Sequence, residues 1–299
     1  MITDYLKIEQ KPLPSNCYKT RPSGAVVKYI IIHDIKYDLK ETIDIFTKEK
    51  LSSHYYIDRN GRIYQFVHDD LLANHAGQSQ FKSDVGLNQS SIGIELQGSY
   101  EHQFTNEQIS SISALLKILE DKYDIEKSNV LSHAEIAPYR IINDTPQPGK
   151  IDPGLHFPWR LLSDTGVCYH HDCTIKQNPE MLYKYNDSGE SILNIQEKLY
   201  SLGYSYINCN GIYDLKTASV LNAFYLRYYQ LWFLINQEVI RDQLIKAATK
   251  KNSGSLELEA FQNDTINDMW LFGEDYYLYL SNIDENTIMI LDEMTNQSC

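Results

Sequence analysis

The chain is short of cysteine, short of positive charge, and without any long apolar run. Five cysteines in 299 residues, at Cys17, Cys168, Cys173, Cys209 and Cys299, are too few and too scattered for a disulfide framework. Only Cys168 and Cys173 lie close enough in sequence to leave a local bridge open, and "CYHHDC" lacks the Cys-x-x-Cys spacing of a zinc ribbon. Lysine and arginine number 27 against 40 aspartates and glutamates, a formal net charge of -13. That balance argues against a nucleic-acid or anionic-membrane partner held by bulk charge. No stretch of about 18 apolar residues occurs, so no membrane span is expected, and "MITDYLKIEQKPLPSN" has no apolar core of a secretory signal. Internal repeats and an HExxH motif are also missing. The chain is, however, 42% hydrophobic, enough to bury a full core and to divide into two units. Its 23 tyrosines accompany an excess of Ile, Asn and Lys and are read as compositional bias.

Up to about residue 160 the patterns alternate between strand and helix. "VVKYIIIH" has the continuous apolar character of a buried central strand. "HYYIDRNGRIYQFV" places two β-rich runs around Asn60 and Gly61, a hairpin signal, and "SIGIELQG" is a further buried strand. "TNEQISSISALLKILEDKY" opens with a capping box, Thr105 with Gln108, and sets Ile109, Ile112, Leu116 and Leu119 on one helical face. The expected fold is α/β, a central mixed sheet flanked by helices. Composition shifts after Trp159, and residues 161–179 read as linker. Over 180–236, Ile192, Ile195, Leu199 and Leu202 form a stripe ended by Gly203, and Asp214 is placed to cap a second helix. A small helical module is expected there, whose plain alternative is a packing domain. Residues 237–299 are acidic and receive no role.

Three residues sit where such a fold would gather ligands. His33 closes the apolar strand, His133 follows the long helix in "VLSHAEIAP", and Asp152 lies in "GKIDPGLHFPW". Two imidazoles and a carboxylate make the open, three-ligand form of a catalytic zinc site. Among nine histidines a triplet can arise by chance, and lone histidines are more often structural. Glu95 strengthens the reading, because it interrupts an otherwise apolar strand where an ionised carboxylate is costly unless donors or a cation meet it. It is either one half of an ion pair or a general base. Lys150, on a loop stiffened by Pro148 and Pro153, is either a surface charge or a group placed to stabilise an oxyanion. His156 and Trp159 read as packing or groove-lining residues.

The ordered set "YIIIHDI", "SSHYYIDRNGRIYQFV", "NHAG", "SIGIELQG", "FTNEQ", "LSHAEIAP" and "GKIDPG" resembles the zinc-dependent N-acetylmuramoyl-L-alanine amidases of the type-2 family, whose fold is shared with peptidoglycan recognition proteins. The resemblance covers roughly residues 20–160, and the helical module is similar to the three-helix peptidoglycan-binding domain that accompanies such enzymes. Carried over by motif, it implies zinc ligands at His33, His133 and Asp152, catalytic roles for Glu95 and Lys150, and a substrate-side position for His75 of the "HAG" motif. It implies hydrolysis of the amide between N-acetylmuramic acid, including its 1,6-anhydro form, and L-alanine of the stem peptide. Asp34, Asn74 and an insertion around "YRIINDTPQPG" depart from the family pattern and bear on substrate range. The rival reading is a non-catalytic peptidoglycan-binding protein; such proteins typically lose a zinc ligand, and none is lost here. The substrate favours a bacterial cell envelope or periplasm, with cytoplasmic muropeptide recycling as the alternative. No feature of the sequence sets an oligomeric state.

Overall fold

The structure, a computed structural model, describes residues 6–98, 103–142, 145–172, 174–230 and 282–296. By packing the chain forms two units, residues 1–137 with 151–170, and residues 138–150 with 171–299.

The first unit is built on a six-stranded sheet. Its strands are β1 (Ile8–Gln10), β2 (Tyr29–Ile35), β3 (Tyr55–Ile57), β4 (Ile63–Gln65), β5 (Ser91–Gln97) and β6 (Val130–Ser132), in the order β1-β4-β3-β5-β2-β6. The β3–β4 hairpin is antiparallel and every other pairing is parallel, so the sheet is mixed. The hairpin turns where Asn60 and Gly61 lead the sequence reading to place it. Gly61 has φ +76°, and a Cβ there would lie 2.6 Å from the Glu107 carbonyl oxygen, so only glycine fits.

Alternation along β2 and β5 explains why both strands look apolar throughout. Ile30, Ile32, Ile92, Ile94 and Leu96 share one core cluster with Ile112, Leu115, Leu116 and Leu119 of the helix α2. That helix, following α1 (Leu39–Glu49), spans Asn106–Tyr123, and its Thr105–Gln108 capping box is formed. The alternate residues, Tyr29, Ile31 and His33 on β2 with Ser91, Gly93 and Glu95 on β5, belong to the opposite face of the sheet. A short helix, α3 (His133–Ile136), leaves the end of β6, capped by Ser132 and Glu135 in a second capping box.

Two boundaries differ from the sequence reading. The stretch after Trp159 is not linker: α4 (Trp159–Asp164) begins there, and Trp159, Leu162, Val167 and Cys168 are buried in the core of the first unit. These apolar residues follow no period, so a pattern search passes over them. The insertion forms a hairpin of its own, β7 (Tyr139–Ile142) against β8 (Thr145–Pro148), and belongs to the second unit. That unit also holds α5 (Glu190–Ser201) and α6 (Leu215–Tyr228), the latter capped by Asp214 as expected. A further helix among its described residues, α7 (Glu285–Asn296), comes from the tail to which the sequence reading gave no role. Strands β9 (Met181–Tyr183) and β10 (Ile283–Asp284) pair, Lys198 meets Asp292, and the Tyr225 hydroxyl lies 3.0 Å from Thr287 Oγ1. Residues 282–296 therefore pack with the helical module. Most of the intervening tail, with Cys173 and Cys299, lies outside the described residues.

A buried polar knot braces the first unit. Asp69, 3% exposed, accepts hydrogen bonds from the Tyr55 hydroxyl at 2.7 Å, Gln65 Nε2 at 3.1 Å, Lys122 Nζ at 2.8 Å and the Tyr123 hydroxyl at 3.2 Å. Burial works to raise its pKa, but the bonds from Lys122 and Tyr55 outweigh burial and hold the carboxyl below its ordinary 3.8. Because the folded-state value is depressed, this contribution is complete above the ordinary carboxylate pKa and is lost as pH falls through the depressed one. Asp69→Asn is expected to lower stability at pH 7 by about 2 kcal/mol. In urea denaturation the gap between the two proteins should shrink below pH 4, whereas a gap independent of pH would mean that the charge of Asp69 is not what stabilises.

Candidate metal and catalytic site

His33 lies near the C-terminal end of β2, and α3 opens with His133 immediately beyond β6, the parallel neighbour of β2. The ends of two adjacent parallel strands thus deliver two imidazoles to one place. Asp152 is brought there by its loop, whose backbone is tied to α3 by a bond from the Ala134 amide to the Asp152 carbonyl at 3.1 Å. Among the described residues, this is the group of three whose side chains could hold a metal ion.

The geometry is a tight triangle. His33 Nδ1 and His133 Nδ1 are 3.0 Å apart, and Asp152 Oδ2 is 3.0 Å from the first and 2.9 Å from the second. Both histidines are buried, at 2% and 5% exposure. Burial opposes ionisation of Asp152, but electrostatic attraction to, and hydrogen bonds with, His133 and His33 override it and keep the carboxyl well below the usual range. The outer nitrogen of His133, Nε2, lies 3.3 Å from the Ala76 carbonyl, which can only accept. His133 therefore donates from Nε2, and Nδ1 is the nitrogen it turns inward. Two imidazole nitrogens and a carboxylate oxygen packed this closely fit a zinc ion, for which they are ordinary ligands.

Glu95 is in direct register with His33 across the β2–β5 pairing, and with Tyr56 on its other side. Partners in a parallel register share a face, so this buried carboxylate projects from the same side of the sheet as His33. Asp34 faces the other way, and burial with the nearby Asp152 charge pushes it up to about 7. Lys150 is partly buried and belongs to the second unit. His156 is exposed, and Trp159 is buried in the core. Asn74 is structural: its amide nitrogen bonds to the Cys17 and Lys50 carbonyls at 2.9 and 3.2 Å.

His75 lies against His33, with Nδ1 3.0 Å from His33 Nε2 and Nε2 3.2 Å from Ser91 Oγ. Burial and the neighbouring histidines His33, His54 and His133 hold it well below the usual imidazole range, so it is neutral. His54, also neutral, is lowered to about 4 by burial and by Arg21. Arg21 donates to the carbonyls of Asp69, Asn88, Gln89 and Ser91 at 2.8–3.2 Å and so pins the segment that leads into β5. Sequence reading had passed over Arg21, Asn88 and Ser91. The period-2 spacing of Ser91, Gly93 and Glu95 was a signal that these three share the face of the site.

Comparison with known proteins gives the family of the chain. Residues 23–154 match the N-acetylmuramoyl-L-alanine amidase family. The 1,6-anhydro-N-acetylmuramyl-L-alanine amidase AmpD of Escherichia coli is 32% identical over 167 residues, 49% of this chain and 86% of that protein. The N-acetylmuramoyl-L-alanine amidase AmiD of E. coli is 34% identical over 157 residues, 47% of this chain but only 54% of AmiD. The structure of E. coli AmiD with anhydro-N-acetylmuramic acid-L-Ala-D-γ-Glu-L-Lys superposes with a TM-score of 0.52 at 26% identity, covering 71% of this chain and 84% of that one. The family match and the mixed-sheet fold place the chain among amide hydrolases. The chain belongs to the N-acetylmuramoyl-L-alanine amidase family.

Proposed function

We propose that the protein hydrolyses the amide between the lactyl group of N-acetylmuramic acid and L-alanine of the stem peptide, with zinc held by His33, His133 and Asp152. The observation that carries this reading is the buried triangle of two Nδ1 atoms and one carboxylate oxygen at 2.9–3.0 Å. A bound zinc ion supplies Lewis acidity, which brings the pKa of a water to about 7 and polarises a carbonyl. Glu95, on the face of the sheet that carries His33, takes the proton of the attacking water and returns it to the leaving amine. Lys150, two residues before Asp152, stands within about 7 Å of chain from a ligand and stabilises the tetrahedral oxyanion. The substrate is peptidoglycan or a muropeptide fragment, in wall remodelling or recycling. The AmiD complex, which holds an anhydro-muramoyl peptide, supports the 1,6-anhydro form as one substrate. No helix among the described residues is long and apolar enough to cross a membrane.

Mass spectrometry of products from purified peptidoglycan and from 1,6-anhydro-muropeptides, with and without a chelator, tests the reading. Chelator-sensitive release of intact stem peptides with a free L-alanine amino terminus is expected, and the preferred substrate distinguishes remodelling from recycling. Cleavage inside the stem peptide, or binding without cleavage, would overturn it. Glu95→Gln should lower kcat by about 10²–10⁴-fold while leaving the zinc content unchanged, and loss of zinc in this variant would remove Glu95 from the role of base.

A further inference from the structure

The "HAG" segment touches both histidines of the triangle from behind. The His75 ring meets His33, and the neighbouring carbonyl of Ala76 meets His133. The direction of each bond follows from its far end. Ser91 Oγ is 2.6 Å from the Leu87 carbonyl, which can only accept, so the serine proton points there. Ser91 Oγ is left to accept, and it accepts from His75 Nε2–H at 3.2 Å. With Nε2–H given to Ser91, His75 presents Nδ1 to His33 Nε2, from which it accepts at 3.0 Å. His33, donating from Nε2, then turns Nδ1, the atom that belongs to the triangle, toward the other two groups. Each link in this series has one direction, and the last link selects the tautomer that can bind a metal.

The segment is itself held. Asn88 Oδ1 accepts from the backbone amides of both His75 and Ala76, at 3.0 and 2.7 Å, and Arg21 pins residues 88–91. Space for the ring is provided by Gly93, where a Cβ would lie 2.5 Å from His75 Cγ and 2.6 Å from its Nδ1. A side chain at this position of β5 would push the ring out of line with His33.

We propose that His75 is a positioning residue of the metal site: oriented by Ser91 and Asn88, it fixes the tautomer and ring orientation of His33 so that Nδ1 faces the metal. This rests on the zinc reading of the triangle. A hydrogen-bond acceptor behind a ligand imidazole orients it and raises its basicity, and loss of such a partner costs about 10–100-fold in metal affinity. The sequence-based expectation for His75, a place beside the substrate, predicts instead an effect on KM with zinc binding intact.

The test is equilibrium zinc affinity of the metal-stripped full chain, by competition with a chromophoric chelator, alongside steady-state kinetics of the zinc-loaded protein. His75→Ala is expected to weaken zinc binding about 10–100-fold. His75→Gln, whose amide oxygen can accept from His33 and whose amide nitrogen can donate to Ser91, should recover most of the loss. Ser91→Ala should weaken binding less, in the same direction, and it keeps the test alive if His75→Ala does not fold. Wild-type zinc affinity in both His75→Ala and Ser91→Ala overturns the proposal, and a raised KM alongside it assigns His75 to the substrate. Failure of the wild-type protein itself to bind zinc overturns the underlying functional reading and is recognisable as such, since it appears before any variant is made.

Discussion

Three electron-pair donors held about 3 Å apart in a buried pocket repel one another unless positive charge lies among them. Protons can supply that charge, and so can a metal ion. Everything around the triangle keeps its members from moving apart. His33 is anchored by strand pairing on both sides of β2, His133 by the capping box that starts α3, and Asp152 by the backbone bond to Ala134. A cluster assembled from flexible side chains would relax by separating; one assembled from strand ends and a capped helix cannot do so without disturbing the sheet.

The sheet accommodates this polar cluster because its two faces differ. The face under α2 is filled with isoleucine and leucine, and its burial stabilises the unit at roughly 25 cal/mol per Å² of apolar surface. The opposite face is apolar at Tyr29 and Ile31 and polar from His33 and Glu95 onward. Stability and chemistry therefore draw on different residues of the same strands. Period-2 alternation separates them, so a polar residue at one position does not interrupt the core formed by its neighbours.

Two further polar groups of the first unit, Asp69 and Arg21, are each held by several partners. Asp69 is buried with four donors around it, and Arg21 gives its protons to backbone carbonyls of the segment that enters β5. Buried groups satisfied in this way specify one arrangement, because moving any member leaves another without its partner. Around the triangle that specificity extends to single protons, through the series that runs from Leu87 to His33.

By itself the sequence determined the main strands and helices of the first unit and pointed to the three residues that the fold gathers into the triangle. The apolar run ending in His33, the glutamate inside "SIGIEL", the Asn-Gly turn, and the Thr105 and Asp214 caps are local signals, and local chemistry carries them. It did not determine which residues packed with which. The apolar residues after Trp159 lack a period, yet they complete the first core, and α7 lies far along the chain from the helices it joins. Only the tertiary structure decided that Ser91, Asn88 and Arg21 stand behind the histidines, and which ring nitrogen each histidine turns inward. Those outcomes depend on the direction of hydrogen bonds between residues distant in sequence, and a direction exists only once donor and acceptor have met.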